Sequence, residues 1–412
     1  MKFSEFNFDN RLSEGIEASG YEDATPVQEQ VIPLVLEGKD VIASAQTGTG
    51  KTAAFLLPLI NNILKEPFDE HSITALVIVP TRELAVQIAQ HMEGLSYFTS
   101  VSSIAVYGGG DGNAFVQEKK ALSAGADVVI CTPGKMIAHI NMGYVKLKGL
   151  KYLVLDEADR MLDMGFYDDI MRIINALPPK RQNLLFSATM PPKIREMARK
   201  ILHNPSEINI SISKPNEKIT QLAYVVYEAQ KIPLVKYILH QKEFSSVLVF
   251  CSSKQSVKQL ARDLKRTNLA VDEIHSDLEQ DKREEVLMFF KSGRLKVLVA
   301  TDILSRGIDI DNIGLVINYD VPHDGEDYVH RIGRTARAAA EGTAITFISE
   351  KEQYKFHRIE KLLGKEVHKE KLPEQFGEGP EYKKPHHTHQ GGQGHRNGKR
   401  PGGFSRSRPA KK

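Results

Sequence analysis

Short apolar runs alternate with amphipathic segments along most of the chain. DVIASA, ALVIVP, DVVICTP, YLVLDEAD and NLLFSAT fall in the first half, and VLVFCSS, KVLVAT, LVINYD and TAITFIS in the second. Each run is apolar at successive positions, as strands covered on both faces require. Between them, RELAVQIAQHMEGL and SVKQLARDLKR repeat their apolar residues at helical spacing. Strand and helix signals in alternation predict an α/β fold of doubly wound parallel sheets. A polar break, SISKPNEK at 211–218, separates two comparable halves. We read domains at 1–210 and 219–372 with 211–218 as the linker. One larger sheet with a loop there is the alternative, although ~200 residues already make a full domain. After Leu372 the chain turns to Gly, Pro, His and basic residues with few aromatics. Such a segment buries too little apolar surface to fold alone, so 373–412 is expected to be a disordered basic tail.

Composition narrows the class. A chain 41% hydrophobic and 26% charged is that of a soluble globular protein. No apolar run approaches the ~20 residues that span a bilayer, and the N-terminus has no long apolar stretch of secretory type. Cys131 and Cys251 each close an apolar run and read as buried, reduced thiols, which suits the cytoplasm. The net charge of +3 conceals an asymmetry. From Gly377 onward nine Lys and Arg face two Glu, a net of +7, leaving −4 on the first 376 residues. A near-neutral body with a basic tail suggests a polyanionic partner.

The chemistry begins at ASAQTGTGKT, from Ala43 to Thr52. This is a phosphate-binding loop with Ala45 in place of its first Gly, set between a strand-like and a helix-like stretch. Its Gln46, Thr47, Gly48, Thr49 and Gly50 can wrap backbone N–H groups round phosphate oxygens. Lys51 can reach the β- and γ-phosphates, and the Thr52 hydroxyl can bind Mg²⁺. Asp156 and Glu157 end the apolar run YLVL. Charge at the end of a buried strand is costly unless something uses it. Asp156 is placed to hold Mg²⁺, partly through water, and Glu157 to polarise the attacking water.

Asp156-Glu157-Ala158-Asp159 spells the signature of the DEAD-box ATP-dependent RNA helicases, and the other motifs of that family follow in order over residues 3 to 340. The chain therefore resembles that family, and by length and basic tail its bacterial RhlE type. The resemblance implies two tandem RecA-like domains, ATP and Mg²⁺, and RNA as partner, single-stranded or in short duplexes. Members of that type act in ribosome assembly, RNA decay or cold adaptation, among which these motifs do not choose; a monomer is expected and, with no bilayer-spanning run, no membrane attachment. GYEDATPVQ resembles the adenine-reading motif, with Tyr21 stacking on the base, Thr25 beside it, Gln28 at the adenine edge and Phe3 as the upstream aromatic. Pro80, Thr81 and Arg82, Gly108 and Gly109, and Thr132, Pro133, Gly134 and Lys135 resemble RNA-backbone contacts of the first lobe. Ser187, Ala188 and Thr189 resemble the motif that couples hydrolysis to strand separation, with Asp159, His330 and Arg331 joined to it. In the second half, Gln280, Arg283, Thr301, Arg306 and Gly307 resemble RNA-facing residues, Asp309 a ribose contact, and Arg334 and Arg337 arginine fingers for the γ-phosphate.

Four positions depart from the family pattern. Ser276, Ser305 and Ala336 are small-for-small changes, and Lys135 replaces an arginine, losing a bidentate fork to phosphate. The rival readings are a DNA helicase or translocase on the same two lobes, and an ATP-dependent RNA clamp. For the tail, the rivals are salt-sensitive RNA binding and an inert solubilising extension. Its HHTHQGGQGH stretch is a poor fixed metal site, having no carboxylate or thiol frame.

Overall fold

The computed structural model describes residues 1–45, 49–65, 72–109, 112–210, 218–241, 244–301, 313–323, 325–335 and 342–383. They form two sheets of seven parallel strands. The first sheet contains β1 (Val41–Ser44), β2 (Ala75–Ile78), β3 (Ser103–Val106), β4 (Val128–Cys131), β5 (Tyr152–Leu155), β6 (Gln182–Ser187) and β7 (Ser206–Asn209), in the order β3-β4-β2-β5-β6-β1-β7. Its helices are α1 (Asn10–Ala18), α2 (Pro26–Leu36), α3 (Lys51–Lys65), α4 (Arg82–Ser96), α5 (Gly112–Ala124), α6 (Pro133–Asn141), α7 (Ala158–Asp163), α8 (Tyr167–Asn175) and α9 (Pro192–Ile201). The second sheet contains β8 (Ile219–Val225), β9 (Val247–Cys251), β10 (Val271–Ile274), β11 (Val297–Thr301), β12 (Leu315–Asn318), β13 (Gly342–Ile348) and β14 (His368–Glu370), in the order β10-β11-β9-β12-β13-β8-β14. Around it lie α10 (Glu228–Gln241), α11 (Lys254–Lys265), α12 (Gln280–Lys291), α13 (Gly325–Ile332) and α14 (Gln353–Leu363).

The apolar runs are the central strands. β2, β4 and β5 are buried at every residue, as are β9, β11 and β12. Alternate residues of each strand serve opposite faces, so each sheet supplies two cores. Leu76, Val129 and Leu153 join the apolar cluster on one face, while Val77, Ile130 and Val154 join that on the other. Both cysteines are free and buried, as their apolar neighbours indicate. No helix among the described residues is long and apolar enough to cross a membrane.

The structure corrects one boundary. Residues 373–383, expected in the disordered tail, pack on the second lobe. Phe376 meets the edge of the Tyr237 ring at 5.5 Å. Gln230 donates to the carbonyls of Phe376 and Glu378 at 2.9 and 3.2 Å. The Tyr382 hydroxyl donates to Glu360 at 2.8 Å. Two well-placed aromatics anchor a segment whose overall composition predicts none of this. Residues 384–412 and the linker residues 211–217 lie outside the described residues.

Candidate functional site

Sheet order sorts the first-lobe loops into two groups. β1, β6 and β5 are neighbours, with Ser44 opposite Ser187 and Leu155 opposite Leu185. The phosphate loop, the Ser187–Thr189 segment and the Asp156 turn therefore open side by side. β2, β4 and β3 are neighbours too, with Ile78 opposite Cys131 and Cys131 opposite Val106. Pro80–Arg82, Thr132–Lys135 and Gly108–Gly109 follow those ends directly. Because the strands are parallel, both groups lie at the carboxyl edge of one sheet, where ligands gather in open α/β folds.

In the first group, Gln46, Thr47 and Gly48 lie outside the described residues. Ala45 is buried at the loop's start, its N–H donating to the Ser187 carbonyl at 3.0 Å. Thr49 and Gly50 lead into α3. Gly50 has φ +93°, and a Cβ there would stand 2.5 Å from Gln28 Nε2 and 2.9 Å from Thr25 Oγ1. Only glycine serves at such a position. Gln28 is buried, with Oε1 accepting from Thr25 N at 2.8 Å and Nε2 donating to the Gly50 carbonyl at 3.0 Å. The amide thus braces the phosphate loop and keeps one further donor and one further acceptor for an adenine edge. Phe3 packs edge-on against Tyr21 at 5.5 Å, so the upstream aromatic buttresses the expected stacking ring.

Lys51 opens α3 with Thr52 in the same turn. Its ammonium is 5% exposed, lies 4.0 Å from Asp156 Oδ1 and has no hydrogen-bond partner among the described residues. A buried cation left so under-satisfied is what a phosphate would complete. Asp156 Oδ1 accepts from Glu157 N at 2.9 Å. Burial pushes the Asp156 carboxyl up to about 6, against the pull of Lys51 and with added repulsion from Glu157. Glu157 adopts left-handed backbone, φ 51° and ψ 49°. For a residue other than glycine this costs roughly 1–2 kcal/mol, and such strain concentrates at functional sites. The turn starts α7 and takes Glu157 off the line of β5. Arg160 Nη1 donates to Glu157 Oε2 at 3.4 Å. This partner was not singled out from sequence, although the i,i+3 spacing of opposite charges was there to read.

Among the described residues no cluster of three or more His, Cys, Asp or Glu could hold a metal by itself. One carboxylate and one hydroxyl beside a phosphate loop do fit Mg²⁺, which keeps several waters and takes its other ligands from phosphates, while the ammonium suits the phosphates themselves.

Asp159 ties the acidic turn to the next strand. Its Oδ2 accepts from Thr189 N at 2.9 Å, and its own N–H donates to Ser187 Oγ at 3.2 Å. Ser187 Oγ in turn donates to the Thr189 carbonyl at 2.7 Å. Ala188 continues the same segment, its carbonyl accepting from Ser44 Oγ at 3.5 Å.

In the second group, Thr81 caps α4, its hydroxyl accepting from Leu84 N at 3.3 Å. Thr132 stands at the N-terminus of α6, with Pro133 in the first turn. Two helix N-termini thus open on one edge, each able to offer N–H groups to phosphate. Arg82 lies across Gly108 and Gly109. A Cβ at Gly109, where φ is +93°, would stand 2.1 Å from Arg82 Nη1. Lys135 Nζ lies 2.8 Å from the buried Glu118 carboxylate, a partner the sequence reading did not find.

The second lobe is described in part. Gln280 opens α12. Arg283 Nη1 donates to Glu83 Oε1 of α4 at 3.3 Å and Nη2 to the Ser276 carbonyl at 2.9 Å, so this arginine touches both lobes. Thr301, buried, ends β11. His330 and Arg334 are buried in and just after α13, and Arg334 stands in a turn, not on a helix. Arg331 was expected to reach the first-lobe acids. Its Nη1 donates to Asn318 Oδ1 at 3.2 Å and the Asp320 carbonyl at 3.0 Å, and its guanidinium covers Phe250 at 5.2 Å. An almost fully buried guanidinium needs such partners, and its own lobe provides these. Arg306, Gly307, Asp309 and Arg337 lie outside the described residues.

Known proteins resemble the chain over both lobes. Residues 25–197 match the DEAD/DEAH box helicase family and residues 230–339 the helicase conserved C-terminal domain. An ATP-dependent RNA helicase CshA of Listeria monocytogenes is 44% identical over 367 residues, 89% of this chain and 69% of that protein. A DEAD-box ATP-dependent RNA helicase CshA of Bacillus subtilis is 40% identical over 374 residues, 90% of this chain and 74% of that protein. S. cerevisiae Dbp5 bound to RNA and ADP BeF3 superposes with a TM-score of 0.80 at 32% identity, covering 90% of this chain and 95% of that one.

Proposed function

The chain belongs to the DEAD/DEAH box helicase family and is an ATP-dependent RNA helicase; on that premise we propose how its residues divide the work. The observation that carries the assignment is the buried Lys51–Asp156 pair beside a strained Glu157, on the sheet edge that also holds two helix N-termini and the Arg82–Gly109 contact. Tyr21, Thr25 and Gln28 select adenine. The amides of residues 45–50 and the Lys51 ammonium bind the phosphates, and Thr52 and Asp156 would hold Mg²⁺. When bound, that ion neutralises phosphate charge in the transition state. Glu157 orients water and receives its proton. Arg334 and Arg337 bring positive charge to the γ-phosphate from the second lobe, with Asp309 at the ribose.

Asp159, Ser187, Ala188 and Thr189, with His330, link hydrolysis to the lobes. Arg331 sets the base of the last motif. Pro80–Arg82, Gly108–Gly109, Thr132–Lys135, Gln280, Arg283, Thr301, Arg306 and Gly307 hold the RNA backbone. The nucleotide site is complete only when the lobes meet, and RNA spans both lobes. Each ligand therefore favours closure and tightens the other. Closure on a bent single strand opens a short duplex locally.

The relatives described above carry the name CshA, whereas the RhlE-type resemblance rests on length and tail alone; we place the chain nearer the former. A cytoplasmic monomer acting on ribosomal precursors or within RNA-decay complexes is the setting we propose. The experiment is ATPase stimulation by RNA and by DNA of the same sequence. Stimulation by RNA alone supports the assignment, and equal stimulation by DNA favours the translocase reading. Discrimination would act through the 2′-hydroxyl.

A further inference from the structure

Lys135 is the one residue of its loop that changes chemistry relative to the family pattern, and its surroundings explain what the change does. Its ammonium lies 2.8 Å from Glu118 Oε2, with the lysine side chain 18% and the glutamate side chain 7% exposed. The same oxygen lies 3.1 Å from His139 Nε2. A carboxylate only accepts, so Nε2 carries the hydrogen, and Nδ1 accepts from the Tyr144 hydroxyl. His139 is fully buried, stacks on Phe115 at 5.3 Å, and is held toward its neutral form by burial. Lys135 Nζ also lies 5.5 Å from the centre of the Phe115 ring. The cluster joins α5, which follows the Gly108–Gly109 segment, to α6, which starts at the TPGK loop. Within hydrogen-bonding distance its charges are one ammonium and one carboxylate, which cancel; the Lys119 ammonium stands further off, 5.5 Å from the centre of the Tyr144 ring.

We propose that Glu118 is a positioning residue that pins Lys135 and cancels its charge. The Thr132–Lys135 loop then meets the RNA backbone through directed donors and the α6 N-terminus, without net positive charge. The inference rests on the reading of this loop as an RNA contact. An arriving phosphate cannot draw the lysine away cheaply. Glu118 would be left buried with a single N–H from a neutral imidazole, and an uncompensated buried carboxylate is costly. The ammonium keeps Glu118 and offers its remaining hydrogens. An arginine could grip carboxylate and phosphate each through a separate edge of its planar fork; lysine can offer the phosphate only single hydrogens from one point charge already matched by Glu118. Glu118 thus lowers RNA affinity at this loop while fixing its shape, which favours release after each cycle.

The test is the salt dependence of RNA binding by the full chain, using a single-stranded oligoribonucleotide. Glu118→Gln keeps the size and the hydrogen bonds but removes the negative charge. It should raise affinity severalfold at low salt and steepen the slope of log affinity against log salt by about 0.7, one phosphate's worth for a single strand. The double variant Glu118→Gln/Lys135→Met should return to the parent slope. A merely structural role for Glu118 would leave the slope unchanged. If Lys135→Met weakens RNA binding and Glu118→Gln changes neither affinity nor slope, charge cancellation is overturned and the loop reading stands. If neither substitution alters RNA binding, the loop reading falls and takes the inference with it. A second measurement needs no variant. Amine acylation of the parent protein should label Lys135 more slowly than the exposed Lys120, with and without RNA; equal rates would overturn the pinning.

Discussion

Asp156 should cost the empty protein stability, and replacing it should return that stability. Its carboxyl is pushed from 3.8 up to about 6 by burial, more than Lys51 at 4.0 Å offsets. At about 1.4 kcal/mol per unit, the difference amounts to about 3 kcal/mol against folding once the group is ionised. The sign follows from proton counting. Below 3.8 both states carry the proton and no penalty applies. Between the two values the folded state holds more protons, so stability falls as pH rises. Above about 6 the penalty is complete. Asp156→Asn removes the charge and can keep the contact with the Glu157 N–H. Amide hydrogen exchange of β5 and β6 without nucleotide or Mg²⁺ reports the first lobe alone. Protection in Asp156→Asn should exceed that of the parent about 100-fold at pH 8, but less than about threefold at pH 4. Equal protection at pH 8, or the same gain at both pH values, would refute a strained and desolvated carboxylate. Loss of ATP turnover in the same variant would show that the penalty is kept because Mg²⁺ and phosphate require the ionised form.

Three further outcomes are expected. Glu157→Gln should keep nucleotide affinity within a few-fold and lower RNA-stimulated turnover by at least about 100-fold, the usual scale for losing a general base; single-turnover hydrolysis checks it. Gly109→Ala should displace Arg82, 2.1 Å from the new Cβ, and raise the Kd for RNA by about tenfold, roughly 1.4 kcal/mol, while ATP affinity without RNA stays at the parent value; fluorescence anisotropy measures both. Deletion of residues 384–412, which carry eight Lys and Arg and no Asp or Glu, should weaken RNA binding at low salt far more than at high salt; an unchanged salt slope would mark the tail as an inert extension.

The elements that escaped the sequence reading share a physical cause. Central strands such as β2, β4 and β9 are buried at every residue and apolar throughout, and β12 is apolar up to its last residue, Asn318. The strands that were missed are β3, β7, β10 and β14, the four sheet edges, together with β8 beside β14. Edge strands meet water, so SIAV is half-exposed, while SEIN, VDEI and HKE carry acids, amides or bases that break the apolar signal. The meeting of Lys51 and Asp156 was legible because a phosphate loop calls for Gly50, Lys51 and an acid at a strand end in fixed local order. Their partners were not. Glu83 meets Arg283 across 200 positions and Glu118 meets Lys135 across 17. Nothing in local spacing pairs them, since folding of the sheet and helices brings them together. The partners of Arg331 were hidden for a related reason. Its motif is written in sequence, but the direction of its guanidinium depends on Asn318 and Asp320.

The central claim is that nucleotide and RNA are linked through closure of the two lobes, and linkage can be measured without turnover. The Kd for a single-stranded RNA should be determined with and without a non-hydrolysable ATP analogue, and the Kd for the analogue with and without that RNA. A coupling of about 1–3 kcal/mol predicts that each ligand tightens the other by the same factor, roughly 5- to 150-fold, as reciprocity requires. Affinities for each ligand that ignore the other would contradict the account.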